Sequence, residues 1–199
     1  RVLKQSLISA FGAERAMLAR KGLPWHHLTN PFFRYLALQA SMLVLAFALG
    51  GWSGFALFLV QAGTAIWQLE LVNYVEHYGL TRAHLGDGKY EHVKPRHSWN
   101  ADQMASNRLL INLQRHSDHH YKPNRRFPLL QHHSWEKAPQ LPMSYAFMIT
   151  VALIPPIWFR VMDPRDDRWR TRFYPDVTDW AGYDEGTVGR EDGRAEVPA

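Results

Sequence analysis

The feature that most constrains this chain is the run from Tyr35 to Val75, in which Glu70 is the only formally charged residue. About 20 apolar residues carry a helix across a bilayer, and Gly50-Gly51 divides this run into two parts. Tyr35 to Leu49 is short for a span and borrows Phe32 and Phe33, whereas Trp52 to Val75 is long enough alone. Two apolar helices joined by a glycine pair read as a transmembrane hairpin. Arg and Lys crowd both flanks, which places both ends in the cytosol and the glycines on the far side. A hairpin buried in a soluble protein is the competing reading, but so long an uncharged stretch exceeds what a soluble core requires.

The expected fold is therefore all-α: a fragment of a polytopic membrane helical bundle, with one transmembrane hairpin plus cytosolic and interfacial helices. Residues 1–33 form a cytosolic, basic, amphipathic lead-in, with Leu3, Leu7, Ile8 and Phe11 at helical spacing and Pro24 and Pro31 closing it. The hairpin occupies 34–80. Region 81–163 begins irregularly, with Gly86-Asp87-Gly88 as a turn, and continues as one helix from Met104 to Tyr121, ended by Pro123. Tyr145 to Phe159, interrupted by Pro155-Pro156, suits an interfacial helix. Region 164–199 reads as an acidic tail, its last fifteen or so residues disordered. The first residue is Arg and nothing resembles a signal peptide, which reads as a fragment.

Eleven His and no Cys exclude disulfides, thiolate metal sites and Cys nucleophiles. Any transition metal must take imidazole and oxygen ligands. From Asp163 to Ala199 acidic residues outnumber basic ones ten to six, so the remainder carries +9 of a net +5. That basic body favours anionic lipid or an acidic partner protein, while the long apolar helices argue against nucleic acid.

Glu70, Asn73 and His77 fall at i, i+3 and i+7, one stripe of a greasy helix. Ionisable groups at that depth usually face a polar interior or an ion. Downstream, His116-Ser117-Asp118-His119-His120 sets three imidazoles on one helical face, and imidazole suits iron, zinc and copper. His77, His116, His119 and His120 are the expected metal ligands, with no catalytic residue beyond the metal centre. Around them Glu70, Asn73, Asn112 and Asp118 are candidate supports. Asn112 lies one turn before His116, and Asp118 is placed to accept the free N–H of a ligand imidazole or to be solvated. Arg96, Lys122, Arg125 and Arg126 form a candidate docking rim for an acidic electron carrier. His97 lies near the site without partner spacing, and His132 and His133 read as surface residues.

Several blocks together resemble the integral-membrane alkane 1-monooxygenase family within the fatty acid desaturase and hydroxylase superfamily. They are Asn73-Tyr74-Val75-Glu76-His77-Tyr78-Gly79-Leu80, Lys89-Tyr90-Glu91, His97-Ser98-Trp99-Asn100, Leu113 to His120, Ala138 to Pro142 and Val161 to Arg165. The resemblance implies a cofactor of two non-haem iron ions held by His77, His116, His119 and His120 in a multi-pass bacterial inner-membrane protein. It also implies terminal hydroxylation of medium-chain alkanes with O2 and electrons from a rubredoxin-type donor, with membrane lipid as a further partner. Phe55, Leu59, Ala62 and Ile66 are candidates to line a substrate channel. The family's two upstream His boxes have no counterpart here, so the chain is expected to be the C-terminal half of such an enzyme and inactive alone. The rival readings are a desaturase or hydroxylase of the same superfamily and a non-catalytic His-rich metal-binding membrane protein.

Overall fold

The computed structural model describes residues 2–86 and 89–184. Its regular elements are helices: α1 (Val2–Arg20), α2 (Pro31–His77), α3 (Met104–Leu109), α4 (His116–Tyr121), α5 (Tyr145–Ala152), α6 (Pro155–Phe173) and α7 (Ala181–Asp184). The chain divides into two compact units, Arg1–Glu70 and Leu71–Ala199.

In the first unit α1 ends in a Schellman motif. The Leu23 N–H bonds the Leu18 carbonyl at 3.0 Å and the Gly22 N–H bonds Ala19 at 3.0 Å, with Gly22 at φ 70°. Glycine takes that left-handed conformation without steric cost. Asn30 then caps α2: its Oδ1 accepts the Phe32 N–H at 3.0 Å and its Nδ2 donates to the Trp25 carbonyl at 2.7 Å. Pro31 at the first helical position lacks the N–H that the helix start would leave idle. Within α2, Gly51 leaves helical geometry at φ 56°, ψ −147°. A Cβ on Gly54 would collide with the carbonyl of Ala46, eight residues earlier. The two arms therefore fold back on each other at the glycine pair, with Phe47 and Trp52 ring centroids 5.1 Å apart. The large side chains of α2, among them Leu36, Val44, Trp52, Leu57, Val60 and Leu69, are exposed.

The second unit is built around a buried cluster that includes Val75, Trp99, Leu141, Tyr145, Trp158 and Met162. A smaller cluster gathers Ala83, Trp169 and Tyr174. The segment after the first turn is irregular as expected, and the Lys89 N–H closes the turn onto the Gly86 carbonyl at 2.9 Å; Asp87 and Gly88 lie outside the described residues. So does the tail from residue 185, where disorder was expected.

Two boundaries differ from expectation. Met104 to Tyr121 is two short helices, because Ile111 and Asn112 take φ of 53° and 62°. The Asn112 N–H bonds the Asn107 carbonyl at 2.8 Å and the Ile111 N–H bonds Arg108 at 3.2 Å, a Schellman ending with a β-branched residue where glycine is usual. The boundary expected after Asp163 falls inside α6, whose buried Met162 and Trp169 belong to the two clusters. The apolar stretch Tyr145 to Phe159 does break at Pro155 into α5 and α6.

Gly79, just past α2, sits at φ 70°, and a Cβ there would strike the carboxylate of Asp166. Gly79→Ala should lower stability by at least about 1 kcal/mol, the ordinary cost of a left-handed non-glycine residue, and the clash adds to it. Thermal unfolding of the variant beside the parent chain checks this; an unchanged midpoint contradicts it.

Candidate metal centre

His77 is the last residue of α2. Its Nδ1 lies 3.0 Å from the Asn73 carbonyl. A carbonyl only accepts, so Nδ1 carries the proton and the Nε2 lone pair is free. The helix that begins at His116 brings its imidazoles to the same place. Ring centroids of His77 lie 5.0 Å from His116 and 5.1 Å from His120. His116 and His120 approach Nε2 to Nε2 at 2.8 Å. One ligand nitrogen from each of His77, His116 and His120 falls within 4.8 Å of the others. His119 sits at the edge, its ring 5.9 Å from His116 and 5.5 Å from His120, and is exposed.

Behind His116 stands a carboxylate that the sequence stripe passes over. Glu76, 4% exposed, places Oε1 3.3 Å from His116 Nδ1. Both atoms are buried without an aligned hydrogen-bond partner. Burial, then the neighbouring His120, His77 and His119, pushes the His116 imidazole down to about 2. Burial, followed by His77 and His119, takes His120 to about 4. These imidazoles are neutral at physiological pH, the state that metal ligation requires.

The expected supports divide. Asn73 contributes its backbone carbonyl, while its side chain is exposed. Glu70 is the last residue of the first unit, half-buried, and among the described residues no ion pair engages it. Asn112 does not orient an imidazole. It lies in the left-handed break between α3 and α4, accepts from Asn107 Nδ2 at 3.0 Å and donates to the Phe127 carbonyl at 3.0 Å. Asp118 is neither solvated nor bound to one of the four imidazoles. Buried at 1% exposure, it accepts from Arg125 at 2.6 Å, the Gln131 N–H at 2.9 Å and His133 Nε2 at 3.1 Å. It ties the box helix to the loop that follows, and His133 is correspondingly not a surface residue.

The docking rim also divides. Arg125 is paired with Asp118. Arg96 bonds Glu91 at 2.7 Å and lies 4.8 Å from the Tyr174 ring centroid. Lys122 and Arg126 remain exposed. Of the channel candidates, Leu59 and Ile66 are exposed and Phe55 and Ala62 are half-buried.

His97 belongs to a separate polar knot. Its Nδ1 accepts the Lys94 N–H at 3.0 Å, so Nε2 donates to Glu91 at 3.2 Å, beside the Tyr174 hydroxyl at 2.9 Å. Burial takes His97 down to about 4, with Glu91 opposing. Burial alone would raise Glu91, but hydrogen bonds from Tyr174, Ala83, Lys94 and Arg96 outweigh it and hold the carboxyl at about 2.

The family described as fatty acid desaturase matches residues 4–152. Alkane 1-monooxygenase 2 of Pseudomonas aeruginosa is 46% identical over 163 residues, covering 81% of this chain and 42% of that protein. The alkane 1-monooxygenase of Ectopseudomonas oleovorans is 36% identical over 198 residues, covering 99% and 46%. The xylene/toluene monooxygenase hydroxylase component of Pseudomonas putida is 31% identical over 173 residues, covering 84% and 44%. The chain belongs to the fatty acid desaturase superfamily and, within it, to the alkane 1-monooxygenase family. It spans less than half the length of these curated relatives.

The polar knot yields a pH prediction with a definite sign. His97 is neutral in the fold at about 4, against 6.5 when unfolded, so the unfolded chain binds the extra proton first. Its stabilisation is complete above pH 6.5 and is lost as pH falls toward 4. Glu91 adds a second loss between its ordinary 4.5 and about 2. Unfolding temperature measured against pH should fall through both windows, and His97→Gln should flatten the upper one.

Proposed function

We propose that this chain supplies part of the metal site of an integral-membrane non-haem diiron monooxygenase that hydroxylates the terminal carbon of medium-chain alkanes. The observation that carries the reading is the convergence of His77, His116 and His120, with buried Glu76 behind His116. The fit to a metal is a matter of donor chemistry. Two neutral imidazoles meet Nε2 to Nε2 at 2.8 Å, close to the roughly 3 Å between adjacent nitrogens at metal–nitrogen bonds of about 2.1 Å. His116 Nδ1 and Glu76 Oε1 are the orphaned buried pair that a ligand imidazole and its orienting carboxylate present.

An iron pair held by His77, His116, His119 and His120 with ligands from elsewhere would supply the oxidising chemistry that an unactivated C–H bond requires and that no side chain here offers. The chain's own residues do the positioning. The Asn73 carbonyl holds the His77 Nδ1 proton, which leaves the His77 Nε2 lone pair facing inward. Glu76 stands 3.3 Å from His116 Nδ1, placed to orient that imidazole once its Nε2 binds a metal. His119 completes a set of four imidazoles, too few for two irons, and the remaining ligands come from outside these 199 residues. Alone, the chain is inactive.

The exposed apolar side chains of α2 support a membrane-spanning hairpin in a bacterial inner membrane, both ends cytosolic, because water does not tolerate so broad an apolar surface. Electrons arrive from a rubredoxin-type donor, for which Lys122 and Arg126 are the exposed cations of the expected rim. The relatives named for alkanes favour an alkane over the polar-headed substrate of a desaturase.

In the whole protein, His77→Ala or His120→Ala should abolish alkane hydroxylation and reduce bound iron by elemental analysis. Full activity in either variant removes that residue from the ligand set. Glu76→Gln should weaken metal affinity about 10- to 100-fold, read by cobalt titration; affinity equal to the parent's denies Glu76 its orienting role.

A further inference from the structure

The second half of α6 sorts its charges by face. Arg165, Arg168 and Arg172 fall at i, i+3 and i+7 and share one stripe. They line a cavity of 490 Å³ with Trp99, Trp135 and Trp169, and among the described residues no carboxylate borders it. The carboxylates of the same helix are engaged elsewhere. Asp163 accepts the Tyr78 hydroxyl at 2.5 Å, Asp166 lies 2.9 Å from the Arg170 Nε, and Asp167 lines a different cavity with Arg170 and Trp180.

What holds the three arginines orients them without neutralising them. Arg165 donates to the Val161 carbonyl at 2.5 Å, Arg168 to Pro164 at 2.9 Å and Arg172 to Glu136 at 3.4 Å. The Arg172 guanidinium also lies 4.5 Å from the Trp135 ring centroid, a cation–π contact that fixes its plane. Among the described residues none of the three is ion-paired. Burial, and after it the charge of Arg168, pushes the Arg165 guanidinium below its ordinary value, and a bound anion relieves that crowding. Bidentate guanidinium groups favour phosphate.

The start of the same helix says what the anion is attached to. Leu153 and Ile154 in the α5–α6 link, and Ile157 and Phe159 on α6, are exposed. Phe159 lies six residues before Arg165, about 9 Å along the axis. Exposed apolar side chains at one end of the helix and cations toward the other suit a boundary where acyl chains give way to anionic headgroups, which attract Arg near the surface.

We propose that the cavity between α6 and Trp135 is a binding site for the phosphate of an anionic phospholipid, with Arg168 and Arg172 as its main contacts and the shoulder from Leu153 to Phe159 against the acyl chains. Inorganic phosphate would use the arginines alone, and an acidic protein would leave the shoulder without a function.

The test is titration of the full 199-residue chain in non-ionic detergent with dihexanoyl phosphatidylglycerol, dihexanoyl phosphatidylcholine and inorganic phosphate. Native mass spectrometry and tryptophan fluorescence give the affinities. Phosphatidylglycerol should bind at least about tenfold more tightly than the other two. R168Q/R172Q should erase that preference, and R168K/R172K should keep most of it, both with unchanged circular dichroism. Equal affinity for the two lipids overturns the proposal without needing any variant. So does a preference that survives R168Q/R172Q. Phosphate binding as tightly as phosphatidylglycerol reassigns the site to the free anion. Arginine-dependent capture of an acidic electron-donor protein, with no lipid preference, reassigns it to protein docking.

Discussion

The second unit depends on the backbone of one extended segment, Ser98 to Ala101, which lies buried with its polar groups shared among several elements. The Trp99 N–H bonds the Glu76 carbonyl at 2.8 Å and the Trp99 carbonyl accepts the Tyr145 hydroxyl at 2.5 Å. The Ser98 carbonyl accepts Ser117 Oγ at 3.0 Å, and Asn100 Oδ1 accepts the Ser117 N–H at 3.0 Å. Asn100 also pairs with Pro139 and Leu141, and the Ala101 N–H with Gln114. Each such group would cost about 1–3 kcal/mol if buried without a partner, so the segment fixes α4 and the end of α2 together. His77 and Glu76 come from one, His116 and His120 from the other. The imidazoles meet because both helices are bonded to the same strip of backbone.

The same constraint explains why α4 can be so short. Six residues hold no stable helix by propensity alone. Here Ser117 and Asp118, on the face away from the cluster, are bonded to the buried segment and to the Arg125–His133 loop. Gln114, fully buried, bonds Ser106, the Gln103 carbonyl and the Tyr145 N–H. The polar residues between the histidines hold the helix in place, and the histidines are left to face one another.

Some of this was legible in the sequence and some was not, for physical reasons. The i, i+3, i+4 spacing of His116, His119 and His120 fixes their common face whatever surrounds them. The glycine pair announces the break in α2 because a left-handed residue there needs glycine. Glu76 is one position off the stripe of Glu70, Asn73 and His77, and its burial comes from Trp99 and His116, contacts distant in sequence. The break at Ile111–Asn112 carries neither Gly nor Pro, and a β-branched residue at positive φ is uncommon enough that the pattern favours a continuous helix.

The region after Asp163 shows a different kind of illegibility. Its composition is acidic, and composition averages over the helix that its first part forms. Folded, that helix separates the averaged charges: Asp163 and Asp166 turn toward Tyr78, Gly79 and Arg170, and Arg165, Arg168 and Arg172 line a cavity that no carboxylate among the described residues borders. Net charge thus has the wrong sign for the face that matters. The separation follows from packing. Gly79 admits the Asp166 carboxylate at a place where a Cβ would exclude it, and Trp169 donates its indole N–H to the Arg96 carbonyl at 2.7 Å. With those two contacts fixing the rotation of α6, Arg165, Arg168 and Arg172 are brought to the rim of the cavity.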